Sequence, residues 1–154
     1  MFKFRLQNVL EIREEREKAK ARELAAAKEA AETARKAQEA LASLRDNSRA
    51  EFEAAHEDAL PVGHLHQFGF VLESLEQRLQ HADESVNAAE GVVEGAQDAL
   101  NDAARDRRML DRLKERHTDA WRVEEAQKDR LHMDAIALTR FGNASTPNTP
   151  NKTS

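Results

Sequence analysis

The chain has 154 residues, a formal net charge of −5, 34% charged residues and 5% aromatic residues, with a mean hydropathy of −0.80. That composition excludes a large globular apolar core and is typical of a coiled coil, and the absence of cysteine excludes a disulfide framework or a thiolate zinc site. No stretch approaches the ~18 apolar residues of a membrane span, and the opening MFKFRLQNVLEIREE lacks the apolar run of a signal peptide, so a cytoplasmic location is expected.

The first predicted element is a helix over about residues 4–59, a stretch with no proline or glycine and many strong helix formers. Its core-type positions alternate in steps of four and three: Leu6, Leu10, Arg13, Glu17, Lys20, Leu24, Ala27, Ala31, Ala34, Gln38, Leu41, Arg45, Ser48, Phe52, Ala55 and Ala59. A bend is expected over about 60–66, where Pro61 and Gly63 stand. The second predicted helix spans about 67–141. Its seam reads Leu72, Leu75, Leu79, Ala82, Val86, Ala89, Val93, Ala96, Leu100, Ala103, Arg107, Leu110, Lys114, His117 and Trp121, and continues to Leu131, Ala135 and Leu138. Gly142 and Asn143 are expected to stop it, leaving residues 142–154 as a disordered polar tail.

A seam repeating every seven residues must be covered by another helix. The expected fold is therefore all-α, a long two-helix antiparallel coiled-coil hairpin over residues 2–141. Folding about Pro61–Gly63 sets Leu6 near Trp121, Leu24 opposite Ala103 and Phe52 opposite Leu75. The last ~20 residues of the second helix then project past the start of the first, a candidate docking surface. The centre of the seam is alanine-rich and polar residues interrupt it at Arg13, Glu17, Lys20, Gln38, Arg45, Arg107, Lys114 and Lys128. So thin a seam buries little apolar area and should gain stability from a partner.

Charge is unevenly placed: residues 1–22 carry +3, residues 105–141 carry +2, and residues 23–104 carry −11. The hairpin brings both basic segments to its open end, where they would steer toward an acidic partner. Nucleic acid is not expected, because carboxylates are interleaved and the pI is about 5.7. Phe52 and Trp121 are expected to close the seam. Phe2, Phe4 and Phe141 lie at or beyond the paired region, are harder to bury, and are expected to contact a partner.

Phosphate-binding loops, HExxH and GxSxG motifs are absent from the sequence. His64 and His66 form an HxH and His56 lies near Asp58, but both read as polar loop residues rather than metal ligands. A two-helix hairpin offers no enclosed pocket, so no enzyme activity, cofactor or metal is expected.

The two ends carry a further signal. Phe4-x-Leu6-x-x-Val9-Leu10-x-x-Arg13, then Leu110-x-x-Leu113, Glu124-Glu125 and Asp134 near Arg140-Phe141 resemble the FliJ family of the bacterial flagellar type III export apparatus. The family usually has an acidic residue after that Asp, where this chain has Ala135. The resemblance covers essentially residues 2–141 and implies a hairpin similar to the central stalk of rotary ATPases. It implies that the open end inserts into the hexameric export ATPase ring and promotes its assembly. It also implies links to the membrane export gate protein and to flagellar export chaperones, hence peripheral association with the inner membrane. By the same resemblance Phe4, Leu6, Leu10, Arg13, Asp134, Arg140 and Phe141 would contact the ATPase. The alternatives are the equivalent stalk of a virulence-type secretion system and a self-assembling coiled-coil scaffold. A rotor subunit of an ATP synthase ranks lower, because 154 residues leave no room for the globular domain between its helices.

Overall fold

The computed structural model describes residues 1–57 and 61–144. Among them are two helices, α1 (Gln7–Glu57) and α2 (Val62–Ala144), and no strand. The helices pack against each other as an antiparallel hairpin, and the chain divides into two compact units. The central unit is Glu11–Arg107; the terminal unit combines Met1–Leu10 with Arg108–Ser154. The seam position Ala59 and the expected tail beyond Ala144 lie outside the described residues.

Pro61 begins a helix rather than breaking one. Its carbonyl accepts hydrogen bonds from the His64 and Leu65 amides at 2.9 and 3.3 Å. Proline is well suited to a helix start, where its missing N–H would have had no partner. The expected bend over 60–66 is therefore corrected: α2 starts at Val62, and Gly63 and Gly69 lie inside it. A Cβ at either glycine would meet nothing within 4 Å, so neither is there for close packing within the chain. At the other end α2 runs on through Gly142 and Asn143 to Ala144 instead of stopping at Phe141. Gly142 does not take the left-handed backbone of a glycine C-cap. α1 begins at Gln7, three residues later than expected, after a turn in which the Gln7 amide donates to the Phe4 carbonyl at 3.1 Å.

The core of the central unit is the expected seam. Leu24, Ala27, Ala31, Leu75, Leu79, Val86 and Ala103 are buried, joined by Ala104, and the other seam positions from Arg13 to Ala55 and from Leu72 to Arg107 are half-buried. Most of the polar interruptions are answered across the seam. Arg13 Nη1 pairs with Asp106 at 3.4 Å, Arg107 donates to Glu17, Gln38 donates to Asp83, and Arg45 lies 3.9 Å from Glu76. Flanking the seam, Arg35 and Arg49 reach Glu90 and Glu76 at 3.1 and 3.0 Å. The charged seam residues keep their heads near water while their stems cover the seam, so they are tolerated without a desolvated charge.

The register differs from the expected one. Phe52 meets Phe68, ring centroids 6.0 Å apart, seven residues before the expected Leu75. The displacement of about one to two turns follows from the early start of α2: with Val62 already helical, each α1 residue meets an earlier α2 residue.

Candidate partner-binding site

The terminal unit holds the ends of the chain. Its amino-terminal residues fold back along α2: Phe2 packs on Trp121 with centroids 6.0 Å apart, and Phe4 meets His117 edge-on at 5.8 Å. Lys114 Nζ donates to Gln7 Oε1 at 2.9 Å. These contacts form a small aromatic clamp. Two expectations are corrected by it. Trp121 closes the seam against Phe2 rather than Leu6, because of the shifted register. Phe4 is not hard to bury: the turn before α1 tucks it under His117, leaving it 8% exposed.

Beyond Trp121 α2 continues as a single helix to Ala144. Residues 126–144 are all exposed. This segment is unusual for a solvent-facing helix, because between Leu131 and Ala144 only His132, Asp134 and Arg140 are titratable. Leu131, Ala135 and Leu138 prolong the heptad row. On the opposite side Met133, Ile136, Ala137, Arg140, Phe141 and Ala144 line a shallow groove. At about 100° per residue these two rows face away from each other, so the segment offers apolar side chains in two directions. Its Thr139 hydroxyl donates to the Ala135 carbonyl at 2.8 Å, which turns that polar group back onto the helix.

The seven residues named from the sequence do not form one exposed patch. Leu10 is 3% exposed and, like Phe4, belongs to the core of the terminal unit. Leu6 lies at the margin between exposed and half-buried. Asp134, Arg140 and Phe141 are exposed on the projecting segment. Arg13 lies in the central unit, half-buried against Asp106. The structure adds Leu131, Met133, Ile136 and Leu138. The signal for Leu131 and Leu138 was in the sequence, since both are seam positions past the point where the first helix has ended. Met133 and Ile136 lie off the seam and carry no heptad signal.

The sequence matches the family described as flagellar FliJ protein over residues 2–146. This chain belongs to the flagellar FliJ protein family. That is a family of structural and export components rather than of enzymes. Among solved structures, the FliJ-family fold seen here is similar to CT670 of Chlamydia trachomatis, described as a YscO homolog, with a TM-score of 0.50 and 18% identity over 94% of each chain. At that identity the likeness is one of fold. No curated protein matches the chain by sequence. No helix among the described residues is long and apolar enough to cross a membrane.

Proposed function

We propose that this FliJ-family chain is a non-enzymatic stalk and adaptor of the flagellar protein export apparatus. Its projecting α2 segment, steadied by the aromatic clamp, docks in the ring of the hexameric export ATPase, promotes ring assembly, and couples the ring to the membrane export gate and the export chaperones. The chain acts in the cytoplasm, held at the inner membrane by those partners. The observation that carries this reading is the segment itself. A helix with Leu131, Met133, Ile136, Leu138 and Phe141 exposed in two directions is stable in water only at a cost, and a surrounding collar covers both rows at once. A flat partner would cover one row only.

Within this reading the roles divide. Asp134, Arg140, Phe141, Leu131 and Leu138 contact the ATPase directly, while Phe4 and Leu10 act by holding the clamp. The test is steady-state ATP hydrolysis by the cognate export ATPase with and without the chain, beside sizing of the mixture. Stimulated hydrolysis with a ring-sized complex is the expected result; neither effect sinks the proposal. A second reading, the equivalent stalk of a virulence-type secretion system, is favoured by the fold shared with the protein described as a YscO homolog. Pairing the chain with each type of ATPase separates the two.

A further inference from the structure

In the terminal unit the front of α2 is taken: Lys114, His117 and Trp121, all on the heptad seam, meet Gln7, Phe4 and Phe2. The back of the same stretch carries a second row with the same alternating steps of three and four: Met109, Arg112, Arg116, Asp119, Val123, Ala126 and Arg130. These are the c and f positions of the repeat, on the side of the helix opposite the seam. All of them are exposed, Met109 at 62% and Val123 at 58%. The one acid in the row, Asp119, is already paired with Arg122 at 3.8 Å. Among the described residues Arg112, Arg116 and Arg130 form no ion pair or side-chain hydrogen bond. Arg112 and Arg116 stand one turn apart, a like-charge spacing that disfavours an isolated helix. The row therefore mixes apolar contact area with positive charge that the chain does not neutralise.

We infer that this back row is a binding site for an acidic amphipathic helix of another protein. A row at heptad spacing is the complement of a second helix, and Met109 to Arg130 spans roughly 30 Å, the length of about twenty helical residues. Met109, Val123 and Ala126 give the partner's apolar stripe a surface to pack on, and carboxylates flanking that stripe meet Arg112, Arg116 and Arg130. A second copy docked row to row fits poorly, since it brings two net-positive rows together. An anionic membrane or a nucleic acid also fits less well: Glu115 and Asp129, exposed at the b positions beside the row, would meet phosphates directly. A partner helix can carry a basic residue at those two places. The site lies outside the projecting segment proposed for the ATPase, so its occupancy is read without ATP hydrolysis.

The probe is a fluorescent synthetic peptide of three heptads with leucine at a and d and glutamate at e and g, which repels itself and stays monomeric at neutral pH. Titrated with the full chain at about 50 mM NaCl, its anisotropy should rise to saturation. The affinity should fall at least about tenfold at about 500 mM, where the charges are screened. A lysine counterpart of the peptide should bind at least about tenfold more weakly than the glutamate peptide. Arg112→Glu combined with Arg116→Glu should reverse that preference, and Val123→Asp should weaken the glutamate peptide, all with unchanged circular dichroism because the three positions are exposed. Arg78→Glu, at an exposed arginine of the central unit without an ion pair among the described residues, should leave binding unchanged, and so should Leu138→Ala. No saturable binding of the glutamate peptide, equal binding of the two peptides, or binding that the double arginine variant leaves intact would each overturn the site. So would binding lost in Leu138→Ala, or tighter binding of phosphatidylserine vesicles or duplex DNA through the same arginines. A dimer of the chain alone that the double variant dissolves would assign the row to a second copy and overturn it as well.

Discussion

The heptad row of α2 has two fates. From Leu75 to Ala103 it is buried or half-buried against α1, whereas from Leu131 to Leu138 the same row lies open to solvent. Nothing in the local pattern separates the two: both are leucine and alanine at the same spacing. The difference is whether a second helix of the chain is there to cover them. A periodic apolar row states that a cover exists; it does not state whose cover it is. Past Trp121 nothing among the described residues covers the row, and that is the physical case for the partner proposed above.

This comparison can be broken or sharpened by substitution. The largest effect on folding is expected at Leu10, which is 3% exposed. Leu10→Ala should cost about 2–4 kcal/mol in urea unfolding followed by circular dichroism. Ala31, 1% exposed, should resist enlargement instead: Ala31→Leu should cost about 1–3 kcal/mol in the same assay. Gly91→Ala and Gly95→Ala point the other way. A Cβ meets open space at both, so each should stabilise the helix by about 0.5–1 kcal/mol. Leu138→Ala should be the smallest, within about 0.5 kcal/mol of unchanged stability, yet it should weaken ATPase binding about tenfold or more. If Leu138→Ala destabilises the fold as Leu10→Ala does, the distinction between the two parts of the row fails.

Much of this architecture was legible in the sequence. The seam positions follow from the steps of four and three, and from Leu10 to Ala55 and from Leu72 to Leu110 every one is buried or half-buried. The register was not legible, because Pro61 looks the same in sequence whether it ends a helix or starts one. Only the hydrogen bonds to its carbonyl decide. Phe4 was misplaced for a related reason: as part of a helix it would have lain at an end, but as part of a turn it folds inward. The exposed row of Met133 and Ile136 lies off the heptad, and periodicity read along one seam is blind to the opposite side. The assignment of Arg13, Asp134, Arg140 and Phe141 rests on resemblance, which places residues along a chain without saying which of them point out.

The hairpin also fixes an order of events. Near the turn, Arg49 finds Glu76 only 27 residues away, whereas Gln7 must wait for Lys114, 107 residues later. Contacts with short loops close first, and long loops carry a larger closure entropy. At translation rates of about 5–20 residues per second, the amino-terminal turn emerges roughly five to twenty seconds before the aromatic residues that will hold it. The clamp is thus the last part of the hairpin to close during synthesis. By the same asymmetry it should be the first part to exchange its amide protons.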